Sequence, residues 1–381
     1  MGVEGRIARE VVSLARARLG VEAVTTSLRA PGTARAALAD AVDQWEIEQG
    51  EQDGAVTEGG VELGPQTATL PALGEQGAPV VVHVALSTDL GLDLRLDTPR
   101  RRAGLIELTR AAFAATAVGG HLIAVTSARV YGAHPENPVP LAPDAPLRAQ
   151  DDDGLVGDLL AVEAEVVRLQ DQRPDVRITM LRPAALVGPG VDTTITRHFE
   201  TPRLLVLGGS EPLWQFVHVE DVASAILTIL LADPTRTPAS ADIDGTVGTD
   251  SLNAVSVFTV GAPGALTQRR IEEITGKRRL VLPAATALRA ARRLQAAGVL
   301  STSGADLDYV RHPWVVGSRD LEALGWAPRF DNEACVQVMI EQIRGNRGLA
   351  ALRRDAAVGT ASAGVALVGT AALLRRRRRR L

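Results

Sequence analysis

The sequence predicts an α/β protein whose centre is a doubly wound parallel sheet. Three short apolar runs, at residues 80–86, 122–125 and 176–181, have the length and composition of buried parallel strands. Helical stretches at 100–117 and 155–170 separate them, and the second carries its apolar side chains on one face. Strands that alternate with helices favour parallel pairing, because each crossover helix returns the chain to the same end of the sheet.

Composition narrows the class of protein. The chain has 381 residues, 46% of them hydrophobic, which is enough for one large domain or two intertwined domains. A net charge of −4 gives no reason to expect that the folded part binds nucleic acid. The one cysteine, Cys335, excludes internal disulfides, and the first residues lack the features of a secretory signal. We therefore expect a cytoplasmic protein.

The first residues are typical of a phosphate-binding loop that leads into a helix. Gly2, Gly5 and Ala8 have the spacing of a G-x-x-G-x-x-G/A loop, in which small residues let the backbone approach the pyrophosphate of a dinucleotide. A helix at 7–19 and a strand at 21–28 are expected to follow. Only one residue precedes the loop, so either the strand that such a loop requires is missing or the true start lies upstream.

Arg29 follows the strand at 21–28, where an acidic residue would hold the ribose 2′-hydroxyl of NAD. Its guanidinium could bind the 2′-phosphate of NADP or could be solvated, and the sequence favours the second alternative. The stretch from Asp40 to Glu62 then holds eight acidic residues and no basic ones. Because these carboxylates lack a spacing that would bring them together, we expect a solvated insertion and no metal site.

Ser127 is the strongest candidate for a functional side chain. It comes directly after the apolar run 122–125, and a Pro-rich loop then leads to the helix at 155–170. In open parallel sheets, ligands bind just beyond the carboxyl ends of the strands. We therefore expect the chemistry of this protein to take place near Ser127.

The residues from Ser127 to Gly132, Ser-Ala-Arg-Val-Tyr-Gly, resemble the S-x-x-x-Y-G segment of extended short-chain dehydrogenases/reductases, the NAD-dependent epimerase/dehydratase family. Members act largely on nucleotide sugars and carry Tyr-x-x-x-Lys on the next helix, with the tyrosine as acid/base and the lysine on the ribose. In this chain those two positions fall on Leu155 and Leu159. The chain has two tyrosines and a single lysine, Lys277, so no Tyr-x-x-x-Lys exists anywhere in it.

The strand at 80–86 is similar to the family's V-x-H-L-A-A strand. This resemblance implies that a dinucleotide, NAD or NADP, passes across the backbone at Ala85, Leu86 and Ser87. His83, in the middle of the strand, is expected to be structural.

Later segments carry the same resemblance. Residues 181–190 resemble L-R-P-x-x-V-Y-G-P-G, which implies that Pro183 lies near the nicotinamide. Residues 214–223 resemble R-x-F-V-H-V-x-D-V-A, with Trp214 where many relatives have an arginine. An arginine can grip a diphosphate by paired charge-assisted hydrogen bonds and a tryptophan cannot. Residues 258–261 resemble a strand that returns to the sheet.

The resemblance implies a division of the chain. Residues 1–190 would form a Rossmann-like nucleotide-binding domain, to which 218–232 return, and residues 191–350 a smaller substrate-type lobe. Relatives commonly dimerise through the helices that correspond to 100–117 and 155–170, which implies a homodimer. Residues 351–381 would form a separate tail.

The C-terminal tail differs in composition from the rest of the chain. Ala356 to Leu374 is a run of nineteen uncharged residues, and six arginines, Arg375 to Arg380, follow it. As a helix the run would be about 28 Å long, close to the thickness of a bilayer core. It is rich in Ala and Gly, however, and a span would carry the arginines across the membrane. A membrane span, attachment to an anionic membrane surface, and a flexible arm for an anionic partner all stay open.

Three functional hypotheses remain. The first is a catalytically degenerate family member that binds a nucleotide or nucleotide sugar and acts as a sensor or scaffold. The second is an active NAD(P)-dependent nucleotide-sugar epimerase, dehydratase or reductase, in which Ser127 works with another acid/base such as Asp158, Glu163 or His218. The third is a membrane-recruited interaction module. The missing tyrosine and lysine favour the first, because losing a general acid/base removes roughly 10²–10⁴-fold of rate.

Overall fold

The computed structural model describes most of the chain between residues 80 and 354. The described ranges are 80–86, 98–150, 154–232, 255–287 and 304–354, with 24–26, 67–70 and the single positions 7, 10, 11, 13, 14, 90 and 289. The predicted insertion at 40–62 and the tail at 355–381 lie outside the described residues. None of the described helices is both long enough and apolar enough to span a membrane.

A six-stranded sheet forms the centre of the described structure. In spatial order its strands are β1 (Val24–Thr26), β2 (Thr67–Leu70), β3 (Val80–Val84), β4 (His121–Val125), β5 (Arg177–Pro183) and β10 (Ser256–Val260). The last four strands are parallel, and Leu122 of β4 lies between Val81 of β3 and Ile178 of β5. The parallel sheet predicted from the apolar runs is therefore confirmed.

One strand of the sheet, β2, runs opposite to the others, whereas the sequence predicts a parallel sheet. β1 pairs antiparallel with β2, and β2 pairs antiparallel with β3, so that Leu70 lies opposite Val80. The sequence does not predict β2, because Thr-Ala-Thr-Leu is too short and too polar to form an apolar run. This segment becomes a strand because it pairs with β1 on one side and with β3 on the other.

Helices cover both faces of the sheet, as a doubly wound fold requires. Helices α1 (Thr98–Ala115) and α2 (Leu155–Gln172) begin and end within two residues of their predicted limits and lie on one face. Successive strand residues point to opposite faces. The face under α1 and α2 therefore contains Val81, Leu122 and Ile178 together with Leu105, Leu108, Phe113, Val162 and Val166. The other face contains Val80, Val82, Ile123 and Leu181, and it packs with Ile7, Val11 and helix α4 (Val219–Leu231).

The C-terminal part is made of short strand pairs and helices. The pairs are β6 (Ala185–Val187) with β9 (Phe216–His218), β7 (Leu204–Leu207) with β12 (Arg279–Leu282), and β8 (Leu213–Trp214) with β11 (Leu266–Thr267). The helices are α3 (Thr194–Glu200), α5 (Gln268–Thr275), α6 (Arg319–Ala323) and α7 (Asn332–Arg354).

Strand β10 connects the C-terminal half to the central sheet. It lies inside the 191–350 range that the sequence assigns to the smaller lobe, yet it pairs with β5, with Phe258 opposite Leu181. This segment therefore belongs to the large sheet, as its resemblance to a returning strand implies. The rest of the predicted division stays a prediction.

Gln215 joins the end of β10 to the segment around Val316. Its Nε2 donates to the carbonyl oxygens of Ala262 at 2.8 Å and Val316 at 2.9 Å, and its Oε1 accepts from the Val316 N–H at 2.9 Å. A Cβ at Gly261 would lie 2.7 Å from the Gln215 side chain, so glycine is required there. This buried amide holds the C-terminal segment against the edge of the sheet where the candidate site lies.

Candidate functional site

Ser127 lies at the carboxyl end of β4, as predicted. It is the N-cap of a short 3₁₀ helix, Ala128–Tyr131, and its Oγ accepts a hydrogen bond from the Arg129 N–H at 3.3 Å. Only 2% of the residue is exposed. The Ser127 hydroxyl therefore stabilises a local turn and is shielded from solvent.

A buried ion pair lies beside Ser127. Arg182, at the end of β5, donates from Nε to Glu163 Oε1 at 3.0 Å and from Nη2 to Glu163 Oε2 at 2.8 Å. Thr126, the residue before Ser127, donates from its hydroxyl to the same Oε1 at 2.6 Å. The carboxylate thus receives three hydrogen bonds, and this joins the ends of β4 and β5 to helix α2.

Tyr131 extends this network to the Pro-rich loop. Its hydroxyl donates to the Pro143 carbonyl oxygen at 2.8 Å and accepts from Arg182 Nη1 at 2.9 Å. Burial raises the pKa of Tyr131, and the opposite effect of Arg182 does not overcome it. The phenol therefore stays protonated at neutral pH and holds the loop against the sheet.

The ion pair also determines which side of helix α2 faces the ends of β4 and β5. Because the helix has 3.6 residues per turn, Leu159 and Leu155 lie one and two turns before Glu163 on the same side. Leu159 is 6% exposed and packs in the core that contains Val130 and Ala85, whereas Leu155 is half-buried. The side of α2 that faces the candidate site is therefore apolar ahead of Glu163.

Trp214 belongs to a buried aromatic cluster. Its side chain is 2% exposed, its Nε1 donates to Gln268 Oε1 at 2.9 Å, and its ring stacks on His198 with centroids 5.3 Å apart. Phe199 and Phe216 complete this aromatic cluster. Burial, with a smaller contribution from the charge of Lys277, lowers the pKa of His198 to about 4. The cluster is therefore a neutral core at physiological pH.

A contact that the sequence does not predict joins Arg129 to Tyr309. The Tyr309 hydroxyl donates to the Arg129 carbonyl oxygen at 2.6 Å, and the Arg129 guanidinium lies 4.3 Å from the centre of the Tyr309 ring. The two residues are 180 positions apart in the chain, so no local pattern could reveal their contact. It places the 3₁₀ helix Gly304–Val310 over the turn that begins at Ser127.

The amino-acid sequence around these residues matches the model of a known protein family. The model of the NAD dependent epimerase/dehydratase family matches residues 2–240, which include Ser127, Glu163 and Arg182. The chain belongs to this family. The resemblance noted in the sequence is thereby confirmed.

Individual relatives match shorter stretches. The uncharacterized protein Rv0501 of Mycobacterium tuberculosis (strain H37Rv) is 33% identical over 101 residues, which are 26% of this chain and 27% of that protein. The uncharacterized protein y4nG of Sinorhizobium fredii is 28% identical over 231 residues, covering 57% of this chain and 50% of that protein. The chain thus spans half or less of the length of these relatives.

Solved structures of similar fold have low sequence identity to this chain. A UDP-glucose-4-epimerase from Stenotrophomonas maltophila with bound NAD and formylated UDP-arabinopyranose is 18% identical, with a TM-score of 0.48 over 71% of this chain and 77% of that chain. RMD from Pseudomonas aeruginosa, complexed with NADPH, is 17% identical, with a TM-score of 0.46 over 70% of this chain and 80% of that chain.

In this member of the epimerase/dehydratase family, every tyrosine and lysine side chain is bound to a main-chain carbonyl. Tyr131 donates to Pro143, as described, and Tyr309 donates to Arg129. The ammonium of Lys277 donates to the carbonyl oxygens of Thr201, at 2.9 Å, and Phe199, at the C-terminal end of α3. These groups hold loops and a helix end, and Lys277 lies outside the matched region 2–240.

The alternative acid/base candidates are engaged in structural contacts. Asp158 is 1% exposed and accepts hydrogen bonds from Arg101 at 2.5 Å and Arg102 at 3.0 Å, two residues of α1. These contacts join the start of α1 to the first turn of α2. Glu163 is held by Arg182 and Thr126, as described above.

His218, the third candidate, is the N-cap of helix α4. Its Nδ1 accepts a hydrogen bond from the Glu220 N–H at 3.3 Å, and its ring stacks on Phe330 at 3.9 Å. Asp221, in the same helix turn, accepts from the backbone N–H groups of Arg329, at 2.8 Å, and Phe330, at 3.1 Å. His218 therefore supplies the cap, and Asp221 braces the loop ahead of α7.

The predicted cofactor positions divide into two groups. Gly2, Gly5, Ala8, Arg29 and Ser87 lie outside the described residues. Of the others, Ala85 and Leu86 both donate their N–H groups to the Val125 carbonyl oxygen, at 2.9 and 3.2 Å, and Pro183 is buried at the end of β5.

Four described side chains near this site offer no hydrogen bond to the ribose of a dinucleotide. Ala85, Leu86, Pro183 and Leu159 carry no polar atom that could bind a ribose hydroxyl. No group of three or more His, Cys, Asp or Glu residues within the described ranges is arranged to hold a metal ion.

Proposed function

We propose that this protein is a catalytically degenerate member of the epimerase/dehydratase family that binds a nucleotide or nucleotide sugar and acts as a sensor or scaffold. The observation that carries the proposal is the environment of helix α2. Leucine occupies both positions, Leu159 and Leu155, that lie one and two turns ahead of Glu163 on the same side of the helix. Leucine can neither donate nor accept a proton, and it cannot hold a ribose hydroxyl.

The engaged state of the other ionisable groups supports the same conclusion. Glu163 could act as an acid/base only by leaving the buried Arg182 that it neutralises, and Asp158 only by leaving its contacts with Arg101 and Arg102. That change is strongly unfavourable. An active enzyme with a non-standard acid/base is therefore the weaker alternative, and it would use Ser127.

The ligand site is proposed at the carboxyl edge of β3, β4 and β5, where a parallel sheet of this kind binds nucleotides. Ala85, Leu86 and Pro183 would supply apolar contacts. Because Leu159 replaces the lysine that holds the ribose, NAD or NADP would bind less tightly than in relatives that have it. No hydride-transfer step follows from the described residues.

Thermal unfolding of the full chain with NAD(H), NADP(H) and UDP-sugars tests the proposal. At 100 times its dissociation constant, a ligand stabilises by about 2.7 kcal/mol, which raises the unfolding midpoint by a few degrees. We expect at least one nucleotide to raise the midpoint while no epimerisation, dehydration or reduction is detected. Turnover that Ser127→Ala abolishes would instead establish the active-enzyme alternative.

We also propose a homodimer that forms through the outer surface of α1 and α2. On α2 this surface carries Leu160, Ala161 and Ala164, and it carries Val167, which is 50% exposed. Val167→Glu should convert dimer to monomer in size-exclusion chromatography with light scattering. The matched control is Val118→Glu, at a residue that is 79% exposed beyond the end of α1. Equal behaviour of the two variants would contradict this interface.

The arginine run Arg375 to Arg380 favours one further role. We propose that it attaches the protein to anionic membrane surfaces, at about 1 kcal/mol per arginine. Co-sedimentation of the full chain with phosphatidylserine vesicles should exceed that of a chain ending at Arg354. Equal sedimentation would reject a membrane role for the tail.

A further inference from the structure

The parallel pair β7/β12 leaves one edge of β12 open. Arg279 lies opposite Leu204 and Leu282 opposite Leu207. The Leu204 N–H donates to the Arg278 carbonyl oxygen at 3.1 Å, and the Gly208 N–H donates to that of Leu282 at 2.8 Å. In a parallel ladder, alternate residues point to the same neighbour.

Two backbone positions of β12 therefore face away from β7. Residues 278, 280 and 282 pair with β7, so the N–H and C=O groups of Arg279 and Val281 point outward. Within the described ranges, no strand pairs with this edge. Val281 is 54% exposed, so its apolar side chain is available for contact.

Two arginines lie opposite each other on this pair of strands. The register that places Arg279 opposite Leu204 also places Arg278 opposite Arg203. Both residues are exposed, and neither guanidinium has an ion pair or hydrogen bond with any described group. Cross-strand neighbours of like charge, about 5 Å apart at Cβ, repel each other. By contrast, the Arg279 side chain is neutralised by Glu272 at 2.8 Å.

Charged residues on an edge strand can protect it against aggregation. Strands β7 and β12 form a two-stranded sheet, and Arg203 and Arg278 directly precede them in the same register, so that their positive charges lie close together. The two charges fit an anionic group that approaches from the open side.

We propose that the open edge of β12 binds an extended peptide with alternating acidic and apolar side chains, which adds as a third strand. The backbone groups of Arg279 and Val281 would pair with the peptide backbone. Because strand side chains alternate between faces, Val281 and Arg278 lie on opposite faces. Apolar peptide side chains would therefore pack on Val281, and carboxylates would meet Arg278 and Arg203.

Fluorescence anisotropy with a short labelled peptide of alternating glutamate and valine tests this proposal on the full chain. We expect saturable binding that weakens at about 0.5 M salt. Val281→Pro should abolish binding, because it removes an outward N–H while the ladder with β7 keeps all its bonds. The double variant Arg203→Glu and Arg278→Glu should weaken binding by about tenfold or more. Arg319→Glu, an exposed charge reversal on α6, is the matched control and should leave binding unchanged.

Three outcomes would overturn the proposal. The first is no binding to the wild-type chain at about millimolar peptide, the weak limit for strand addition. The second is unchanged binding to Val281→Pro, with loss only in the arginine variant, which would mean that the arginines attract polyanions without strand pairing. The third is an equal loss in Arg319→Glu, which would indicate a general charge effect. Circular dichroism melting curves check that each variant is folded.

Discussion

Arg182 and Glu163 form a two-bonded ion pair in which both side chains are less than 10% exposed, at 8% and 4%. The pair links β5 to α2 across the end of β4, beside Ser127. It fixes which side of α2 faces the candidate site, and that side presents Leu159 and Leu155. The ion pair thus lies next to two positions, expected to carry an acid/base pair, that leucines occupy.

Loss of this pair should be costly. Glu163→Gln leaves the buried Arg182 without its counter-charge, and we expect the free energy of unfolding to fall by about 3–5 kcal/mol. Urea unfolding at neutral pH measures the change. Glu107→Gln is the control, because its partner Arg110 is 46% exposed and a surface pair contributes roughly 0–1 kcal/mol. Similar losses in the two variants would show that the buried pair has no special role.

Buried histidines should make the protein less stable in mild acid. Burial lowers the pKa of His83 to about 4, and burial together with the charge of Arg177 lowers that of His121 to about 3. The unfolded chain binds these protons near pH 6.5 and the folded chain does not, so stability falls as the pH drops below 6.5. Each histidine should contribute a slope of about 1 kcal/mol per pH unit.

The variant His121→Gln tests this slope. Glutamine can keep the hydrogen bond to the Thr179 hydroxyl, which is 2.9 Å from His121 Nε2. Urea unfolding at pH 6.5 and pH 5 should show a smaller decrease than in the wild type, and a double variant with His83→Gln should show a smaller decrease still. Identical decreases in all three proteins would contradict the prediction.

Restoring the two replaced side chains should strengthen dinucleotide binding. In Leu155→Tyr with Leu159→Lys, the introduced lysine on the inner side of α2 supplies a donor for ribose hydroxyls. A charge-assisted hydrogen bond contributes about 1.5–3 kcal/mol. We expect a larger NAD-induced rise in the unfolding midpoint. The control, Leu155→Phe with Leu159→Met, matches the size without the polar groups. An equal rise in both would place NAD elsewhere or show that it does not bind.

The single lysine should matter for stability and not for nucleotide binding. Lys277→Met removes the ammonium that caps the carbonyls of Thr201 and Phe199 at the end of α3. We expect a loss of about 1 kcal/mol, as for one hydrogen-bonded helix-end charge. Differential scanning fluorimetry with and without NAD separates the two effects. A loss of the NAD-induced shift would mean that Lys277 contributes to the ligand site.

Much of the fold could be predicted, because burial leaves its mark on local sequence. Strands β3 and β4 are largely apolar runs, and α2 carries apolar residues at helical spacing, so both kinds of element are recognisable without tertiary contacts. Thr267, a residue type that favours this position, is the N-cap of α5. The short β2 escapes prediction because its residues become a strand only between β1 and β3.

The candidate site could be predicted only in part. The position of Ser127 follows from the end of an apolar run, but the contacts between Glu163 and Arg182 and between Tyr309 and Arg129 join residues far apart in the chain. A hydrogen-bond partner depends on which groups the folded chain brings within about 3 Å, and no spacing in the sequence encodes that distance.

The sequence by itself determined that the family's tyrosine and lysine pair cannot exist in this chain, because composition is independent of folding: there are two tyrosines, and Lys277 is the only lysine. Only the tertiary structure decided what these residues do instead. Tyr131, Tyr309 and Lys277 each donate to carbonyl groups that distant loops and a helix end bring to them. Polar groups removed from water must find partners, and the fold chooses those partners.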